Sequence, residues 1–227
     1  MLDTEAYYQH VRRVFQEQGN PDIAQGQMKY MRHQFEYFGL KAPHWVALAK
    51  EIHQEMGFPE EPALTAFARR CFADDHREMH YFALQTIEKS QKGQGPALIN
   101  LLEELICTRS WWDTVDWIAK LVGIHFRRFP DQIVPVTERW MDSGNMWLQR
   151  VSIIFQLSYR DKTDQELMFR YIKRVAASKE FFLQKGAGWA LRRYSRTNPA
   201  AVRTFVSENA VSALTRREAL RLMDQKP

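Results

Sequence analysis

Two cysteines in 227 residues leave little scope for disulfide or thiolate–metal chemistry. Cys71 and Cys107 match no metal or redox spacing and read as small buried hydrophobes in a reducing compartment. Ten glycines and nine prolines, scattered, provide no linker that would divide the chain, so a single domain over residues 1–227 is expected. No apolar run approaches the ~20 residues needed to span a bilayer. The start, MLDTEAYYQHVRR, has no apolar h-region and does not read as a secretory signal. The cytoplasm is therefore the expected location, with no membrane partner. Period-two alternation is missing, which argues against strands. There is no glycine-rich phosphate loop, G-x-S-x-G elbow or CxxC pair. His76 and His80, in DHREMH, are four apart, but the glutamate position matches neither zincin arrangement. No metal and no cofactor are expected.

What is present is helix. Apolar residues recur at i, i+3, i+4 and i+7 almost throughout, and the pattern predicts twelve or thirteen helices. Starts are marked at Asn20-Pro21, Pro43, Pro62, Pro96, Ser110, Pro130, Thr163-Asp164 and Asn198-Pro199. Bulky residues open similar apolar helices at Trp45, Met79, Trp112, Trp147 and Phe182, at intervals of 34, 33, 35 and 35. Other helices lie between them, at Ala63–Cys71, Pro96–Cys107, Asp131–Met141 and Gln165–Ala176. A period near 35 with two helices per unit is the mark of an all-α solenoid. One helix of each pair then lines a concave surface.

Charge is uneven along the chain. Residues 1–116 hold 12 Lys+Arg against 17 Asp+Glu, whereas residues 117–227 hold 20 against 10. A basic C-terminal half favours a polyanion partner, nucleic acid above all, over a merely solvated surface. Lys185, Trp189, Arg192 and Arg196 fall at i, i+4, i+7 and i+11, with Arg193 alongside. Cations interleaved with an indole suit phosphates and a nucleoside ring; they also suit basic side chains snorkelling on an ordinary surface helix. Gly186 and Gly188, costly inside a helix, are read as points of close helix packing.

The octet SWWDTVDW, Ser110–Trp117, concentrates three tryptophans and two acids. Ser110 and Asp113 have the spacing of a capping box, which gives both a structural role at the helix start. Asp116 lies a turn further in, where an aspartate needs a reason. It shares a face with Trp112, four residues back. An indole beside a carboxylate can hold a cationic ring; the alternative is an ion pair with a neighbouring Lys or Arg. Aligning repeats puts His80, Val115, Arg150 and Lys185 in one column and brings Arg150 beside Asp116.

These residues resemble a known family. SWWDTVDW, NMWLQRVSIIFQLSYR, SKEFFLQKGAGWALRRYSRTNP and LTRREAL are similar to the AlkD-type DNA alkylation-repair glycosylases, and the likeness runs from YMRHQFEYFGL to the C-terminus. The resemblance implies a right-handed superhelical solenoid of about six HEAT-like two-helix repeats with a concave DNA-binding face. It implies excision of cationic N3- or N7-alkylated purines from double-stranded DNA, leaving an abasic site. Nothing in the sequence suggests an obligate oligomer, and a monomer is expected. Asp116 would be catalytic and Trp112 would contact the lesion nucleotide. Arg150 would support the site, and Trp189 would form a second aromatic wall. Arg192 would lie near the phosphates and Tyr30 near the DNA, and the basic stripe adds Lys185, Arg193 and Arg196 as expected DNA contacts. Two positions depart from the family pattern: Lys41 stands where relatives carry glutamine, and Ser158 where they can carry lysine. Both bear on DNA contacts more than on chemistry.

An alkylated purine is already a cationic leaving group and needs no general acid. What remains is the positive charge that grows on the deoxyribose, which a carboxylate can stabilise. The resemblance also implies action without flipping the base into a pocket. A rival from another class is a non-catalytic helical-repeat module that binds DNA or a protein.

Overall fold

The structure, a computed structural model, describes residues 3–223. Among them are thirteen α-helices and no strand; Glu36 and His76 form an isolated bridge. The helices are α1 (Thr4–Glu17), α2 (Pro21–Tyr30), α3 (Ala42–Met56), α4 (Ala63–Phe72), α5 (Arg77–Ser90) and α6 (Leu98–Cys107). They continue with α7 (Trp112–Arg128), α8 (Ile133–Asp142), α9 (Met146–Ile154), α10 (Gln165–Arg174), α11 (Phe181–Tyr194), α12 (Pro199–Glu208) and α13 (Ala213–Leu220). The helices expected from periodicity are all present, with shifted ends. Pro96 precedes its helix by a turn, and Pro130 opens a short 3-10 turn, Pro130–Gln132, ahead of α8.

The helix starts follow from side-chain chemistry. Asn20 accepts from the Asp22 and Ile23 amides while Pro21 supplies a preset φ, and Asn145, Asp164, Asn198 and Ser212 cap α9, α10, α12 and α13. Each cap satisfies N–H groups that have no partner within the helix.

Contacts gather into two compact units, Met1–Leu101 and Leu102–Pro227. In the first, α1 packs on α3, α4 and α5 around an aromatic core. Tyr7 stacks on Phe67 at 4.8 Å between ring centres, and Phe82 meets Tyr7 and Phe15 edge-on. Beside this core, the fully buried Glu78 accepts the amides of Phe38, Gly39 and Leu40 at 3.0–3.1 Å. Burial pushes its carboxyl pKa up, against those three amide bonds. The loop that leads to Lys41 is thereby held in one conformation.

The second unit is a stack of paired helices. Helix α7 packs on α9, α9 on α11 and α11 on α13, while α8, α10 and α12 pair with members of that row. Ion pairs join α6, α8 and α10: Arg139 to Glu103, Arg170 and Arg174 to Glu138, and Arg174 to Asp142. Their partners are 32–36 residues apart, so the repeat period reappears as the separation of paired charges.

Candidate active site

The octet does not begin its helix as the capping-box spacing predicts. The Ser110 hydroxyl donates backwards to the Ile106 carbonyl at 2.5 Å, and extended Trp111 is the N-cap, with no side-chain cap. The carbonyl four residues earlier competes successfully for the hydroxyl. Asp113 stays in the first turn, where the helix dipole favours a negative charge.

Trp112 and Asp116 stand on one face of α7, both partly exposed. Arg150, on α9, grips Asp116 from the next repeat. Its Nε and one terminal nitrogen each lie 2.8 Å from an Asp116 oxygen, a two-point, charge-assisted pair. The arginine side chain is only 5% exposed, whereas Asp116 keeps 18%. The other terminal nitrogen donates to the Phe182 carbonyl on α11 at 2.5 Å. One side chain thus ties three successive helices together. The ion pair that spacing allowed for Asp116 is present, and the carboxylate stays partly exposed.

Gly186 is what lets α11 come this close. A Cβ there would lie 3.0 Å from the Arg150 guanidinium. Gly188 has the same purpose towards α13: its Cβ would meet that of Glu218 at 2.5 Å and the Thr215 carbonyl at 3.0 Å. Both glycines are points of close packing, as expected. Around the Arg150 end, Trp111, Trp147 and Phe182 form an aromatic cluster with ring centres 4.9–6.1 Å apart.

Lys185, Trp189, Arg192 and Arg196 lie along α11, but the cations are not all open to solvent. Glu218, on α13, accepts from Lys185 at 2.8 Å and from Arg192 at 2.6 Å. The Lys185 hydrogen bond, against a burial cost, and then the charges of Lys185, Arg192 and Arg221 hold this carboxyl below its ordinary range. Arg193 donates to the Leu157 carbonyl at 3.1 Å. Trp189, Arg192, Arg193 and Arg196 line an open recess with Arg221. Glu218 and Arg221 were missed from sequence; the 33-residue separation of Lys185 and Glu218, again the period, was the available signal. Ser158 accepts from Arg127 through its carbonyl and its hydroxyl.

In the first unit, Tyr30 ends α2 with 72% of its surface exposed, and Lys41 is the exposed N-cap of α3. His80 is fully buried, against Arg77 at 2.9 Å and the Asp74 carbonyl at 3.0 Å. His76 stacks on Phe38 and faces the Asp74 carboxylate. Burial pushes the Asp74 carboxyl up, but hydrogen bonds from His76 and Tyr8 outweigh it and hold the carboxyl well below the usual range. Among the described residues no group of three or more His, Cys, Asp or Glu is placed to hold a metal ion. Cys71 is buried as expected, but Cys107 is exposed because it ends α6, with the Asn145 amide 3.7 Å from its sulfur.

The second unit is thus a stack of paired helices in which a fixed, partly exposed carboxylate stands one turn from an indole. The DNA alkylation repair enzyme family matches residues 11–223, and the chain belongs to that family. Among solved structures, a "Predicted DNA alkylation repair enzyme from Enterococcus faecalis" is similar at 28% identity and a TM-score of 0.86, over 92% of this chain and 98% of that one. No curated protein matches significantly. The protein's role is thus in DNA repair, with DNA as its substrate. No described helix is long and apolar enough to cross a membrane.

Proposed function

We propose that the protein is a monofunctional DNA glycosylase that hydrolyses the N-glycosidic bond of cationic N3- or N7-alkylated purines in duplex DNA. The observation that carries this reading is the two-point Arg150–Asp116 pair, which fixes a carboxylate one turn from Trp112 while leaving part of it open. The departing base is neutral once the bond breaks, so the reaction needs no proton donor. It needs a fixed negative charge where the sugar becomes positive, in surroundings that do not reorganise. Asp116 has that role and orients the attacking water. Trp112 and Trp189 contact the sugar and backbone through their faces. Lys185, Arg192, Arg193 and Arg196 lie along the phosphates, and Tyr30 and Lys41 also touch DNA. The base is attacked while stacked, without being flipped.

The enzyme works as a monomer in the cytoplasm; two cysteines without a disulfide support a reducing compartment. The test is to incubate the protein with methylated duplex DNA and identify the freed bases by mass. N3-methyladenine and N7-methylguanine are expected. Tight DNA binding with no freed base would make the protein a non-catalytic module.

A further inference from the structure

Next to the recess that Trp189 lines, and sharing Arg193 and Arg196 with it, the surface opens into a second recess that reaches Arg160. Its volume is about 290 Å³. Ile153, Leu157, Met168 and Ala190 give it an apolar floor, with Gln156, Thr163, Tyr194 and Thr197 supplying polar groups beside them. The rim carries Arg160, Arg193 and Arg196, and the described lining includes no carboxylate. Elsewhere in this unit converging arginines meet acids: Arg139 meets Glu103, Arg174 meets Glu138 and Asp142, and Arg192 meets Glu218. Here Arg193 is held by the Leu157 carbonyl, and the guanidiniums of Arg160 and Arg196 engage no acid among the described residues.

The walls are fixed. The Gln156 amide closes on the Asp164 backbone in both directions, at 2.7 and 3.2 Å, and the Tyr194 hydroxyl donates to Gln165 at 3.0 Å. Arg160 sits at φ 57°, a left-handed conformation uncommon outside glycine and a frequent companion of function.

We propose that this recess binds a single nucleoside 5′-monophosphate unit, its base and sugar on the apolar floor and its phosphate on the arginine rim. Three guanidiniums offer several charge-assisted donors to phosphate oxygens. An inorganic phosphate would leave the floor wet, and an uncharged nucleoside would leave the cations unused. A base paired in a duplex reaches the floor only if it is flipped out of the helix, whereas an unpaired one enters without that cost. The unit therefore comes either from a free nucleotide or from an unpaired nucleotide at a strand end. This inference does not depend on the chemistry proposed at Asp116.

The test is calorimetric titration of the intact protein with deoxyadenosine 5′-monophosphate, with deoxyadenosine and inorganic phosphate as parallel arms. One-to-one binding at least tenfold tighter than either fragment is expected. Arg160→Gly removes one guanidinium and suits the left-handed backbone, so the fold and base release are retained while nucleotide binding falls at least tenfold. A duplex with a one-nucleotide overhang that binds tighter than a blunt one, with the difference lost in Arg160→Gly, identifies a strand end as the source. Equal binding of the two duplexes alongside mononucleotide binding identifies the free nucleotide. No mononucleotide binding together with no overhang preference overturns the proposal, as does binding that Arg160→Gly leaves unchanged.

Discussion

Arg150 engages three acceptors with one planar group, and almost none of it is exposed. That arrangement makes the Asp116 pair more than a surface ion pair: truncating Asp116 would leave the buried Arg150 guanidinium without its acid, at about 3–5 kcal/mol. The pair was legible in the sequence because the repeat period put the two residues beside each other. The Ser110 cap was misread because spacing cannot show that the Ile106 carbonyl competes for the hydroxyl. A titration belongs at this scale too. His53 lies between Phe58 and Phe82, bonds to Thr86, and has its pKa pushed down to about 4 by burial and then by the Lys89 charge. The unfolded chain takes up a proton on this histidine near pH 6.5, whereas the folded chain does so only near pH 4. Stability is therefore complete above about pH 6.5 and declines as pH falls towards about 4, by on the order of 3 kcal/mol from this residue. Urea unfolding of wild type and His53→Gln across pH 4–7 should show the gap between them shift by that amount. A pH-independent gap would contradict it.

At the scale of elements, the repeat is written into the chain more plainly than the contacts between repeats. Proline and asparagine at helix starts were readable because each acts locally, through a preset φ or a side-chain oxygen. The relation of α13 to the basic stripe was not read, although Glu218 stands one period, 33 residues, after Lys185, because spacing does not show which side chains of neighbouring helices meet. Gly186 and Gly188 pointed to close packing, but which helix closes on which is a tertiary fact. Glu218 holds Lys185 and Arg192 in a fixed geometry and cancels part of their charge. Replacing it by glutamine keeps the volume and removes the charge. Glu218→Gln should bind non-specific duplex DNA more tightly at low salt, and the dependence of log K on log salt should steepen by about one counterion. An unchanged slope, measured by fluorescence anisotropy over a salt series, would mean the stripe does not face DNA.

For the molecule as a whole, helical class, period and family were readable from sequence because the motifs are long and apolar spacing is a strong signal. The basic excess beyond residue 117 fits a DNA substrate, and the structure refines it: several of those cations are paired with acids across repeats, while Arg160, Arg193 and Arg196 rim a recess without one. What makes the protein an enzyme in this account is one carboxylate in a stack of otherwise structural helices. The most direct measurement is single-turnover release of N7-methylguanine from duplex DNA by wild type, Asp116→Asn and Asp113→Asn, with folding checked by thermal unfolding. A loss of about 10²–10³-fold is expected for Asp116→Asn, with DNA binding within a few fold of wild type and near-normal release by Asp113→Asn. Release by folded Asp116→Asn within threefold of wild type would contradict it.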